Sequence, residues 1–141
     1  MRALCWPLLL CCALPVAAKA PAAGQPLSID GQWLTDDRTA IVTIDRCGNH
    51  VCGTIAKILN PAAPRFDVNN PQRALRSRPL IGTPVLTDFV PSADQWRSGR
   101  AYDPKSGRSY RSTLQLEGNG TLKVTGCLLF ICQTRHWTRL R

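Results

Sequence analysis

Between residues 110 and 128 the chain switches polarity at nearly every step. Tyr110, Ser112, Leu114 and Leu116 alternate with Arg111, Thr113, Gln115 and Glu117; after Gly118-Asn119-Gly120, Leu122, Val124, Gly126 and Leu128 alternate with Thr121, Lys123, Thr125 and Cys127. A period of two sends the two sets to opposite faces of a pleated strand, which predicts an antiparallel pair with one face buried. Runs rich in β-branched residues at 40–46 and 51–59 predict a second hairpin. Further strands are expected at 32–35, 80–89 (interrupted near Gly82 and Pro84), 95–103 and 132–140. Asp36-Asp37-Arg38 and Asp103-Pro104-Lys105-Ser106-Gly107 supply turns, the second because Pro presets φ and Gly accepts a positive one.

Almost no helical periodicity accompanies these runs, so the fold class is all-β. About eight antiparallel strands in sequence order close into an up-and-down β-barrel or stack as a two-sheet sandwich. The ends of the domain favour the barrel. Gly31-Gln32-Trp33 opens it and Trp137-Thr138-Arg139 closes it. A barrel must plug its ends, and a guanidinium laid on an indole is a compact plug. Trp33, Trp137 and Arg139 are therefore the expected seal, with Arg135 as the alternative cation on the same face of the last strand.

One stretch breaks the pattern. Residues 60–79 carry Pro61, Pro64, Pro71 and Pro79 among Asn and Arg, which predicts a long irregular loop with one helical turn at 72–75. Loops of this kind in compact domains tend to be lids or binding loops. Arg76 and Arg78 alternate in extended chain before Pro79, an arrangement that aims two guanidiniums at one carboxylate or phosphate. Asp67 and Asn70 either shape the loop through Asx-type turns or pair with those arginines, and the group then caps the barrel mouth. Tyr102 and Tyr110, flanking the Pro104 turn, are expected as core residues or as pocket walls with a hydroxyl handle. These six residues are the candidate ligand-binding set.

Composition adds a compartment. Met1-Arg2 precedes an apolar stretch at 3–18 that is too short, and too interrupted by Pro7 and Pro15, to span a bilayer. Ala18-Lys19-Ala20 and Ala20-Pro21-Ala22 follow with the form of a cleavage site. Residues 1–22 are read as a signal peptide, 23–30 as a linker and 31–141 as the barrel domain. The protein is then expected in the periplasm or secreted, with no transmembrane segment in the mature chain. Removing Arg2 and Lys19 from 18 basic residues leaves 16 against 9 acids, a charge of +7. A basic surface favours anionic partners such as membrane headgroups or envelope polysaccharide. Nucleic acid is not expected, because no pattern of stacking aromatics accompanies the arginines.

Cys5, Cys11 and Cys12 leave with the signal segment, and Cys47, Cys52, Cys127 and Cys132 remain. An even number in an exported protein reads as disulfides, and the shared C-x4-C spacing favours Cys47–Cys52 and Cys127–Cys132 over the crossed pairings. Each closes a short loop and contributes about 2 kcal/mol on the chain-entropy model. A four-thiolate zinc site is the alternative at this spacing, and export argues against it, so no metal is expected.

Gly31-x-Trp33 resembles the first-strand signature of the calycin superfamily, the lipocalin-like barrels. Asp45-Arg46-Cys47-Gly48, Cys52-Gly53-Thr54-Ile55, Asp67-Val68-Asn69-Asn70-Pro71 and 75–82 add to it, as do Gly99-Arg100-Ala101-Tyr102-Asp103-Pro104, Gly107-Arg108-Ser109-Tyr110 and Trp137-Thr138-Arg139. In this order and spacing they resemble the small secreted bacterial domain-of-unknown-function family 2147 across essentially the whole mature chain. The resemblance implies a lipocalin-like barrel in the bacterial periplasm and carries over no catalytic residue and no cofactor.

The residues themselves point away from catalysis. His50 and His136 are the only neutral-pH bases, one in a tight turn and one in the closing strand, and the acids are scattered. There is no serine nucleophile elbow, H-E-x-x-H, Gly-rich phosphate loop or C-x-x-C. The expectation is a non-enzymatic exported barrel, without a cofactor, that binds a small amphipathic or anionic ligand. The alternative is an interaction protein that docks its basic surface on anionic envelope material.

Overall fold

The alternating runs fold as strands because only one face of each meets the interior. In the computed structural model, which describes residues 26–141, these are β1 (Gly31–Leu34), β2 (Ala40–Cys47), β3 (His50–Ile58), β4 (Pro84–Ser92), β5 (Gln95–Asp103), β6 (Arg108–Leu116), β7 (Thr121–Leu128) and β8 (Ile131–Arg139). The expected signal peptide at 1–22 lies outside the described residues. Each strand pairs antiparallel with the next, and β8 returns to β1, so the sheet is a closed eight-stranded barrel rather than a sandwich. Residues 80–83 are not strand: Gly82 N donates to Ile55 O (2.8 Å) and Thr83 N to Leu80 O (3.0 Å), a turn that delivers the chain to Pro84. The long excursion contains one 3₁₀ turn, Arg73–Leu75. No helix among the described residues is long and apolar enough to cross a membrane.

Closure is narrow. β1 meets β8 through only the pairs Trp33↔Arg139 and Leu34↔Thr138. At that point the Arg139 guanidinium carbon stands 4.4 Å from the centroid of the fully buried Trp33 ring. Its Nη1 donates to Asp30 O (2.8 Å) and its Nη2 to Ser28 O (3.2 Å), while Trp33 Nε1 donates to Ile29 O (2.9 Å). The segment before β1 is thus folded back across this end. Gly31 explains its own place in the motif: its φ is +124°, and a Cβ there would lie 3.3 Å from Arg139 Nη1. Trp137 takes no part in the stack; it points into the barrel opposite Leu122.

The interior is filled unevenly. Around Trp33, the side chains of Ile29, Ile44, Val51, Phe89, Trp96, Leu114 and Leu122 are at most 1% exposed, a solid plug over one half of the barrel. Toward the other end Val42, Ile55, Val85, Val124 and Trp137 range from 2% to 9%, because they border a cavity. We call the two ends sealed and open.

Two disulfides tie hairpins at opposite ends. Cys127 and Cys132 face each other directly in the β7–β8 register, beside the open end. Cys47 and Cys52, at the sealed end, are bonded diagonally: Cys47 is paired with His50 in the ladder and Cys52 with Asp45. The two bonded cysteines are therefore offset rather than opposite, because Gly48 and Asn49 alone form the turn and Cys47 faces His50 across it.

Replacing Arg139 by Ala is expected to cost about 1–2 kcal/mol, from a half-buried cation–π contact and two charge-assisted hydrogen bonds, one of them exposed. Lysine should recover less than half of this, since an ammonium lacks the flat fork. Urea denaturation should show a lower midpoint at unchanged slope.

Candidate functional site

In an up-and-down barrel alternate connections gather at the same end. Here the β1–β2 turn, the excursion 59–83, the β5–β6 turn and the β7–β8 turn surround the open mouth. The excursion is a strap fixed across it. Asn69 Nδ2 donates to Pro104 O (3.2 Å) and Lys105 O (3.0 Å), joining the strap to the β5–β6 turn. Gly107 makes the approach possible: at φ +68° its missing Cβ would sit 2.0 Å from Asn69 O.

The strap's main anchor is Asp67, a carboxylate with no solvent exposure. Tyr102 Oη donates to its Oδ1 at 2.6 Å; Asn70 Nδ2 (2.7 Å), Arg78 Nε (3.0 Å) and Arg78 Nη2 (2.8 Å) donate to its Oδ2. Asn70 Nδ2 also reaches Tyr102 Oη (3.2 Å), and the Arg78 guanidinium leans over the Tyr102 ring. Burial raises the Asp67 pKa, but the hydrogen bonds from Tyr102, Asn70 and Arg78, with the charge of Arg78, outweigh it and hold the carboxyl below its ordinary value. Burial first, and then the bond to Asp67, push the Tyr102 hydroxyl up to about 12, so it stays a donor. Charge burial without these donors would be prohibitive.

The structure thus brings together four of the six candidates, Asp67, Asn70, Arg78 and Tyr102, and commits their polar groups to one another. Arg76 and Arg78 do not converge on an external anion. The alternation expected of them fails because Arg76 caps the 3₁₀ turn in helical conformation (φ −67°, ψ −19°), and its Nε is engaged by Asn70 O at 2.8 Å. Tyr110 stands apart, half-buried on the inner face of β6 opposite Ala101.

Behind the strap lies a cavity of about 490 Å³. Its floor and walls are apolar: Val42, Ile55, Leu86, Ala101, Val124 and Trp137. Its rim is charged. Arg135 and Gln133, on the inward face of β8 with Trp137, border it together with Asp36, Asp37 and Lys105. Arg135 Nη1 reaches Asp36 Oδ2 at 3.2 Å, and Lys105 pairs with Asp37. Burial raises the Asp37 pKa, yet bonds from Lys105, Thr35 and Thr39 lower it strongly overall. Tyr102 divides this cavity from a shallower groove of about 300 Å³ under the 3₁₀ turn, bordered by Pro71, Leu75, Arg78 and Arg100.

Sequence reasoning missed the rim. The signal was present in the two-residue spacing of Gln133, Arg135 and Trp137, but it does not tell which end of the strand is open. Both histidines lie away from the cavity, His50 beside the turn at the sealed end and His136 on the outer face near Glu117. Among the described residues no three His, Cys, Asp or Glu side chains gather where they could hold a metal ion.

Since the folded pKa of Asp67 lies below the unfolded value of about 4, its stabilisation is fully present above that pH and is lost as pH falls through the folded value. Asp67→Asn should cost about 3 kcal/mol at neutral pH, leaving Arg78 without its counter-charge. The gap between the two proteins should narrow below about pH 4, which urea titrations across the acid range would measure.

Comparison with known proteins agrees with this architecture. A Helicobacter pylori protein, HP1028, described as belonging to the lipocalin family, superposes with a TM-score of 0.73 at 20% identity, over 81% of this chain and 84% of that one. At that identity the likeness establishes the fold. No curated protein matches the chain. The family model described as "uncharacterized protein conserved in bacteria" matches residues 31–139, from the glycine beside the Arg139 stack to Arg139 itself, and the chain accordingly belongs to that bacterial family, DUF2147.

Proposed function

We propose that the protein is a non-enzymatic carrier of a small amphipathic molecule outside the cytoplasm. The observation that carries the reading is the cavity: about 490 Å³, with an apolar depth and a charged rim on one continuous surface. That size falls in the usual range of small-molecule sites, and the polarity gradient matches a ligand with an apolar tail and a polar head. The tail would lie against Val42, Ile55, Val124 and Trp137, the head beside Arg135, Gln133 and Lys105.

Between the two ligand chemistries expected from the sequence, amphipathic has the stronger support. A small anion without a tail would leave the apolar walls wet, and Arg76 and Arg78 are already engaged within the strap. The rim itself is balanced, with Asp36 and Asp37 facing Arg135 and Lys105, so an anionic head must replace a carboxylate already in place. Export is supported by the disulfides at Cys47–Cys52 and Cys127–Cys132, which persist in oxidising compartments.

A dansyl-labelled medium-chain fatty acid should bind the mature protein with enhanced fluorescence. Ala101→Trp, which fills the cavity from the inner face of β5, should weaken binding at least about tenfold by removing apolar contact area, while leaving circular dichroism unchanged. No binding to the native protein, equal binding by a folded Ala101→Trp variant, or native mass spectra of envelope-purified protein free of any small molecule would overturn the proposal.

A further inference from the structure

The exposed apolar residues are not scattered. Leu59, Phe66, Val68, Ile81, Leu128, Leu129, Phe130 and Ile131 are all more than a third exposed, and all belong to the connections or strand ends at the open end. Among the described residues the remaining large one, Leu27, precedes β1. The β7–β8 hairpin is the extreme case. Leu129 and Phe130 are each 89% exposed, and the Cys127–Cys132 bond fixes the tip that presents them. Leu129 sits at φ +56°, where a two-residue hairpin turn ordinarily places Gly or Asn. A bulky side chain is kept there at a conformational cost and then shown to solvent, which points to a use outside the barrel.

Charge at the same end is one-sided. The carboxylates there are occupied: Asp36 by Arg135, Asp37 by Lys105, Asp67 by Arg78, and Asp103 by the Lys105 amide and the Ser106 hydroxyl. Arg38, Arg65, Arg73 and Arg108 are exposed in the connections and strand ends on the open-end side, and none of them is in an ion pair among the described residues. A rim of large apolar side chains set among arginines matches a bilayer interface rich in anionic lipid, where the apolar groups enter the acyl boundary and the guanidiniums meet phosphate.

We infer that the open end docks on an anionic phospholipid membrane, with Leu129 and Phe130 as the inserting wedge and the barrel mouth turned to the bilayer. This goes beyond attraction of a basic surface, because it assigns the contact to one end and requires insertion. It does not depend on what the cavity holds.

The test is sedimentation of the mature, disulfide-bonded protein with vesicles of phosphatidylglycerol and phosphatidylethanolamine, against vesicles of phosphatidylcholine alone. Binding should favour the anionic vesicles and weaken as salt rises. The double variant Leu129→Ser/Phe130→Ser should lose at least about tenfold in vesicle affinity, through lost burial of apolar area, while keeping its melting temperature and its circular dichroism. A Phe130→Trp variant should gain fluorescence that brominated lipid quenches. Failure of the native protein to bind anionic vesicles, binding that the double variant retains, or a Phe130→Trp variant whose added emission brominated lipid leaves untouched would each overturn the inference. So would light scattering that shows a dimer which the double variant dissolves, since a second copy would then be what covers the tip.

Discussion

A barrel escapes the hazards of exposed sheet edges only where its first and last strands meet. In this protein they meet over two residue pairs, and one of those pairs is Trp33 with Arg139. Ladder hydrogen bonds over so short a contact are few, so a stacked guanidinium at the same point supplies what length does not. The stack also recruits backbone: Arg139 binds the carbonyls of Asp30 and Ser28, and Trp33 binds that of Ile29. Strand closure and end closure are thus one interaction. Because β1 stops at Leu34, the first half of β8 has no β1 partner, and Arg135 is free to reach across to Asp36 in the β1–β2 turn. The brevity of β1 that makes the stack necessary is what shapes one side of the mouth.

With one end solid, the other can hold space. The strap that crosses it has few apolar anchors beyond Leu80 and is held instead by a buried carboxylate with donors from Asn70, Arg78 and Tyr102. Such a cluster is stiff and directional, since each donor has one favourable position. It fixes the strap without filling the barrel, which an apolar plug of the same area would do. The cavity persists because its cover is fastened by polar geometry at the side rather than by packing over the top.

Much of this was legible from residue order. The parity of Leu114, Leu122, Val124 and Trp137 marks inward positions, and the glycine two residues before Trp33 marks the stack. The strap is recognisable by its prolines, but its internal assignments are not. Whether Arg78 serves a ligand or Asp67 depends on a fold-back in which Asp67 N meets Arg78 O at 3.1 Å, a contact that no local pattern encodes. Arg76 departs from its expected direction for a local reason: a single 3₁₀ turn resets side-chain parity, and the preceding residues carry only weak helical signals. The hairpin tip is concealed by its own regularity. Leu128 continues the inward alternation of β7, yet it lies past the end of the barrel wall, where inward no longer means buried.

Alternation reports which side of a strand faces the axis, and only tertiary structure reports where along the axis the barrel stops. That distinction orders the two proposals. The same inward face of β7 that carries Leu122 in the solid half and Val124 at the cavity reaches solvent at Leu128, so one strand leads from the plug, past the cavity wall, to the exposed tip. A wedge entering a lipid interface at that tip would bring the mouth of an apolar cavity to the one environment in which amphipathic molecules are concentrated. The disulfide between Cys127 and Cys132 lies where such a surface would need it, at the base of a turn that has no packing of its own to hold it out.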